Sequence, residues 1–305
     1  MSERLVAGRL SAELPRPSGT GGTWGDADVA ALNFMQALAH ELDTGTLRLP
    51  SPPEIVIKIR HALSEEHGNP GHVARVIGGE PVIAARIVRA ANAAYFAHSP
   101  RPVSDLRSAV IRLGLETVYS LTMSAALEQV LHAQIPQALR PRLKAEWERS
   151  VLVATIAQLL AHTTALSPDE AFLAGLLHGV GRLYILRRAN ERPELLADER
   201  AIAAVTDAWQ HALGFALLTH WGLAVDVAYA VKDYDSFDTT AAGPSTLTTI
   251  LHLADRLARA IEQSKPDEPT EFPQCAALEV PDATWRSIVD GVGQDLKHLY
   301  RVLGL

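Results

Sequence analysis

Apolar side chains recur every three and four residues along most of this chain, which is the spacing of one helix face. The last segment shows it most clearly, with Trp285, Ile288, Val292, Leu296 and Leu299 in register. No segment shows the alternation that is typical of a half-buried strand. The pattern therefore predicts an all-α protein, with helices over 32–42, 55–63, 72–78, 81–91, 104–113, 116–131, 143–162, 171–186, 201–219, 225–232, 245–262 and 285–303.

Proline and glycine divide this helical pattern into segments. Pro136 and Pro141 mark a break that we interpret as the seam between two packed helical lobes. A Gly-, Pro- and Ser-rich start predicts a flexible tail, and four prolines precede the last helix. We expect that helix to pack back on the body. The predicted units are a tail over 1–26, a first lobe over 27–135, a second lobe over 136–263, and a linker with the C-terminal helix over 264–305.

Composition narrows the class of protein. The formal net charge of −7 argues against nucleic acid as a partner, because binding to phosphates needs a basic surface. No apolar run reaches the length of a membrane helix, so no membrane insertion is expected. Cys275 is the only cysteine, which excludes a disulfide within the chain and favours the cytoplasm. These features predict a soluble cytoplasmic protein.

One buried histidine makes residues 171–186, AFLAGLLHGVGRLYIL, the most informative stretch. Its apolar spacing predicts a single buried amphipathic helix with His178 in the middle. Gly179 follows directly, so no carboxylate stands beside the histidine.

Three blocks of the first lobe resemble the HDOD domain, a helical module of bacterial signalling proteins. They are LPSPPEIVIKI (49–59), GGEPVIAARIVRAANAAYF (78–96) and RPVSDLRSAVIRLGLETV (101–118). Ala93 replaces the usual serine of the second block. The positions that match the family motifs are Pro50, Pro53, Asn92, Tyr95, Ser104 and Gly114.

Most of these motif residues have structural interpretations. Asn92 suits a left-handed helix C-terminus, where it would bridge backbone groups, and the alternative is a ligand-binding amide. Ser104 is a good N-cap for the helix that follows. Tyr95 and Phe96 are expected to fill a groove or the seam between the lobes.

The second lobe resembles the degenerate HD half of the same family. A competent HD phosphohydrolase site has two histidines, a His-Asp doublet and a distant Asp around one or two divalent ions. The resemblance places Arg149 at the first His, Gly179 at the doublet Asp, and no later His pair near 232–234. His178, His211 and Asp255 remain as matching positions.

An arginine repels a metal ion, so we hypothesise that Arg149 forms an ion pair with Asp255 in the pocket. The structural interpretation of the other positions is simpler. His178 is expected to be a hydrogen-bonded core residue, and His211 an interior polar contact.

Four arginines follow the His178 segment closely: Arg182, Arg187, Arg188 and Arg192. The simplest interpretation is a solvated face. The alternative is a patch that binds an anion or a partner.

Three functions stay open at this stage. The resemblance implies a non-enzymatic signalling scaffold that acts through protein–protein contacts, with other signalling proteins or a second copy as partners. The first alternative is a receptor for an anionic small molecule or nucleotide in the vacated pocket. The second is a phosphohydrolase that uses His178, His211 and Asp255 alone. On the leading interpretation the chain has no catalytic residue, no metal and no cofactor.

Overall fold

A computed structural model describes residues 26–47, 49–50, 53–64, 69–92, 102–132, 139–240, 246–263 and 272–303, with the backbone alone over 127–132 and 293–303. Every regular element among them is helical, which confirms the all-α prediction. The first six helices are α1 (Asp26–Asp43), α2 (Glu54–Ser64), α3 (Pro70–Gly78), α4 (Pro81–Ala91), α5 (Leu106–Leu113) and α6 (Leu115–His132). They are followed by α7 (Arg140–Ala161), α8 (Pro168–Leu177), α9 (Val180–Ala189), α10 (Pro193–Ala197), α11 (Glu199–His220), α12 (Val225–Asp233), α13 (Leu247–Gln263) and α14 (Asp282–Leu303).

Helix α1 packs on the second half of the chain, against α10 and α11. It buries Ala31, Phe34 and Leu38 there. At its C-terminal end, the Glu41 carboxylate pairs with both terminal nitrogens of Arg188 on α9, at 2.9 and 2.8 Å. The sequence division grouped this helix with the first lobe, because periodicity shows which face is apolar but not which neighbour covers it.

The first lobe consists of α2 to α6. Asn92 ends α4 and bridges to the backbone of Val103, donating to its carbonyl at 2.7 Å and accepting from its N–H at 2.8 Å. The bridge was expected, but Asn92 has a right-handed φ of −97° rather than a left-handed one. The N-cap prediction for Ser104 is wrong, because the Asp105 side chain accepts the Ser108 N–H at 2.8 Å. Tyr95 and Phe96 lie outside the described residues.

Helix α7 is the centre of the second lobe and contacts α8, α9, α13 and α14. The expected single helix over 171–186 is wrong. The chain forms α8 and α9 with a turn at His178 and Gly179, and nearly every residue of the segment is buried. Apolar side chains continue at helical spacing through the turn, so the periodicity could not reveal it.

Helix α14 packs against α7 and also touches α4 in the first lobe. Trp285, Ile288 and Val292 are buried along it. The first half of the apolar stripe therefore lies against α7 and α4, and the side chains beyond Val292 lie outside the described part.

A second contact between the lobes lies at the C-terminal end of α11. Arg60 of α2 donates to the carbonyls of Trp221 and Gly222 at 2.7 and 3.0 Å, and the Trp221 indole N–H donates to the Pro50 carbonyl at 2.8 Å. Gly222 has a φ of +68°, a conformation that disfavours other residues.

No helix among the described residues is long and apolar enough to cross a membrane.

Candidate functional site

The candidate site lies where α7 and α13 cross beside the turn between α8 and α9. Arg149 on α7 contacts Asp255 on α13, with Nη2 2.6 Å from Oδ1. Its other terminal nitrogen, Nη1, contacts the carboxylate of Glu262, two turns further along α13. The contact that the ion-pair hypothesis requires is therefore present, and it is part of a larger network.

Asp255 is buried and uses both carboxylate oxygens. Oδ1 meets Arg149, and Oδ2 accepts from Nε of Arg259 at 2.8 Å, one helical turn away on α13. Burial alone would raise the pKa of Asp255, but His178, which is charged only in acid, and the permanently charged Arg149 and Arg259 outweigh burial and lower the pKa. Asp255 is therefore an ionised carboxylate with a cation on each oxygen.

The network continues beyond Asp255 on both sides. Arg259 also reaches Asp235, just after α12, with Nη2 3.3 Å from Oδ1. The charges therefore alternate in the order Glu262, Arg149, Asp255, Arg259, Asp235. The sequence interpretation missed the outer members. Only the spacing of Asp255 and Arg259, four residues apart on a helix, signalled part of this network.

His178 is buried and faces Asp255. Its Nδ1 lies 2.7 Å from the Gly175 carbonyl, which can only accept, so Nδ1 carries the proton and Nε2 presents a lone pair. That Nε2 is 4.0 Å from Oδ1 of Asp255. Burial lowers the pKa of His178 to about 4, against the opposing pull of Asp255. His178 is thus neutral at pH 7, in agreement with a core residue.

The low pKa of His178 predicts a loss of stability in mild acid. Between the ordinary value of 6.5 and about 4 the unfolded chain binds a proton that folded His178 refuses, so acidification favours unfolding. The contribution of His178 to the unfolding free energy should fall by about 3 kcal/mol across that range. We expect His178→Gln to flatten the fall of the unfolding free energy from pH 6.5 to 4. His220→Gln, on an exposed position of α11, should leave it unchanged, and equal slopes in wild type and His178→Gln would refute the assignment.

His211 on α11 shares Tyr234 as a neighbour with His178. The Tyr234 ring meets both imidazoles edge-on, with centroids 5.9 Å from His178 and 5.0 Å from His211. Nδ1 of His211 lies 3.2 Å from the Val231 carbonyl, and Nε2 lies 3.7 Å from Asp235. His252 hydrogen-bonds the Tyr234 carbonyl at 2.8 Å. The Nδ1 atoms of both His211 and His252 are therefore occupied by backbone carbonyls.

Comparison with known proteins assigns this fold to one family. The HDOD domain family matches residues 49–236, which is more than half of the chain. The chain belongs to the HDOD family. The match begins after α1, so the helix that packs on α10 and α11 lies outside the family region.

Solved structures with the same fold come from several bacteria. An HDOD domain protein of unknown function from Geobacter sulfurreducens is 20% identical, with a TM-score of 0.61 over 89% of this chain and 99% of that one. An inferred metal-dependent phosphohydrolase from Shewanella amazonensis SB2B is 24% identical, with a TM-score of 0.67 over 78% of this chain and 86% of that one. An inferred signal transduction protein from Marinobacter aquaeolei VT8 is 22% identical, with a TM-score of 0.54 over 85% of this chain and 58% of that one. No curated protein matches. At these identities the likeness shows the fold alone.

The HD pocket of this HDOD protein does not fit a metal ion. A guanidinium nitrogen lies against the carboxylate that would be a ligand, 2.6 Å from Oδ1. Among the described residues, no group of three or more His, Cys, Asp or Glu side chains is arranged to hold a metal. His178, His211 and Asp255 therefore do not form the reduced ligand set that the sequence left open.

Gly179 stands where the resemblance places the doublet carboxylate. A Cβ added there would lie 3.2 Å from the hydroxyl of Ser150 on α7, a contact tighter than most side chains allow. Ser150 is buried, and its hydroxyl has no hydrogen-bond partner. Restoring a side chain at position 179 would therefore require the Ser150 hydroxyl to give way by a few tenths of an ångström.

The arginines after His178 contact different neighbours. Arg182 is half-buried and binds Glu146 at 2.8 Å and Gln210 at 2.9 Å. Arg188 pairs with Glu41, and Arg192 lies over the Phe34 ring at 5.5 Å. Arg187 alone is exposed. These side chains leave the helix in different directions and reach different neighbours. Their closeness in the sequence does not reveal this.

Proposed function

We propose that this HDOD protein is a non-catalytic signalling protein that acts through protein–protein contacts. The observation that carries the proposal is the state of Asp255, whose two oxygens are bound by Arg149 and Arg259. A hydrolytic HD site needs that carboxylate for a metal that activates water. The Asp255 carboxylate is already paired, so it is not available to such a metal. The family resemblance implies a regulatory role, and on this proposal that role does not include hydrolysis.

No observation favours an anion receptor in the pocket. Arg149 and Arg259 both contact carboxylates, and the network contains three carboxylates for two guanidinium groups. A phosphate would have to displace one of these carboxylates and would then meet the others at close range.

Metal analysis and a hydrolysis assay on the full chain test the non-catalytic part. We expect no stoichiometric Mn, Fe, Ni or Zn after mild purification, and no cleavage of p-nitrophenyl phosphate or its diester above an Asp255→Asn blank. A bound partner, identified by capture from the native cell and rebuilt from purified components, should stay bound in the presence of a chelator. About one equivalent of metal, or Asp255-dependent turnover, would overturn the proposal.

A further inference from the structure

The pocket of the second lobe holds two cations that belong to the chain itself. Asp255 has only 4% of its side chain exposed, and Arg149 only 13%. A buried carboxylate needs a cation, because an unpaired charge away from water is strongly unfavourable. Arg149 supplies one at Oδ1, and Arg259 supplies another at Oδ2.

Each guanidinium also joins Asp255 to a second carboxylate. Arg149 bridges from α7 to two positions on α13, Asp255 and Glu262. Arg259 bridges from α13 to Asp235, beyond the end of α12. A planar group with several diverging donors can bind two carboxylates at once, whereas an ammonium is a single compact charge.

We propose that Arg149 and Arg259 are the permanent cations of this pocket and replace a metal in its structural role. They hold α7, α13 and the segment after α12 in one arrangement, whatever the supply of divalent ions. The pocket thus holds guanidinium cations where an HD site would hold a metal cation. The regulatory state of this protein is then insensitive to metals and chelators.

Chemical rescue tests this role with the full-length protein. Arg149→Gly removes the guanidinium and leaves a space of its size beside Asp255. We expect it to lower the Tm by roughly 10 °C. Methylguanidinium at low millimolar concentration should restore at least half of that loss, while ethylammonium and Mn²⁺ should not.

Two further variants make the result decisive. Lys144→Gly removes an exposed cation from the same helix, where it pairs with Glu148, and its Tm should not respond to methylguanidinium. Arg149→Lys keeps the charge without the bridge, so its Tm should lie between wild type and Arg149→Gly. If Arg149→Gly does not fold, the same comparison is made by recovery of soluble folded protein with each additive.

Three results would overturn the inference: no rescue by methylguanidinium, equal rescue by ethylammonium, or equal rescue by Mn²⁺. The outcome is separable from the proposed function. Hydrolysis by a protein with guanidinium-specific rescue would refute the function and leave the cation role intact. An inactive protein without rescue would refute the cation role and leave the proposed function intact.

Discussion

Alanine at position 181 is expected to prevent folding or to lower the unfolding free energy by about 4 kcal/mol or more. Gly181 on α9 lies directly against the backbone of α11, where an added Cβ would stand 1.9 Å from the Gln210 carbonyl oxygen and 2.8 Å from the Gly214 nitrogen. Neither atom belongs to a side chain that can rotate away. The two helices would have to move apart, which would disturb the elements that carry His211 and Arg182.

Gly291→Ala is the matched control, because Gly291 also lies inside a helix of this chain. Among the described side chains, the nearest neighbour of a Cβ there is Leu159, at 3.7 Å. Alanine should stabilise α14 by about 0.5–1 kcal/mol through its higher helix propensity. Urea denaturation of both variants measures the contrast. A Gly181→Ala protein as stable as Gly291→Ala would show that α9 and α11 do not approach this closely.

The sequence predicted the helical class well, because periodic apolar positions report directly on a half-buried helix face. It failed at His178 and Gly179, where residues on all sides of both helices are buried and the repeat continues through the turn. It also failed for the partner of α1. An apolar stripe with Phe34 and Leu38 is compatible with any apolar surface, so packing on α10 and α11 could not be deduced.

The candidate site was predictable in its centre and not at its edges. Arg149 and Asp255 were paired because the resemblance placed both at ligand positions of one pocket. Glu262 and Asp235 carried no such signal, since an acidic residue on a helix or in a loop is usually solvated. Tyr234 falls in the segment 232–234, where the resemblance finds no His pair, and its contacts with His178 and His211 depend on tertiary packing.

Removing Arg149 should be the most damaging change to the charge network. Arg149→Ala leaves a carboxylate with 4% of its side chain exposed and only Arg259 as a cation. Breaking a buried pair from one side costs about 3–5 kcal/mol, whereas an exposed pair contributes less than about 1 kcal/mol. We therefore expect Arg149→Ala to lower the unfolding free energy by about 3–5 kcal/mol. Addition of Mn²⁺ or Zn²⁺ should not restore it.

The Asp255 carboxylate of the HD pocket is bound by an arginine rather than kept for a metal. A double-mutant cycle of Arg149→Ala and Asp255→Ala, followed by urea denaturation at pH 7, measures that contact directly. The exposed pair of Lys144 and Glu148 on α7 provides a reference cycle with little coupling. We predict a coupling energy of about 1–3 kcal/mol between Arg149 and Asp255. Single-variant losses that simply add would contradict it, because they would mean that the two residues do not meet.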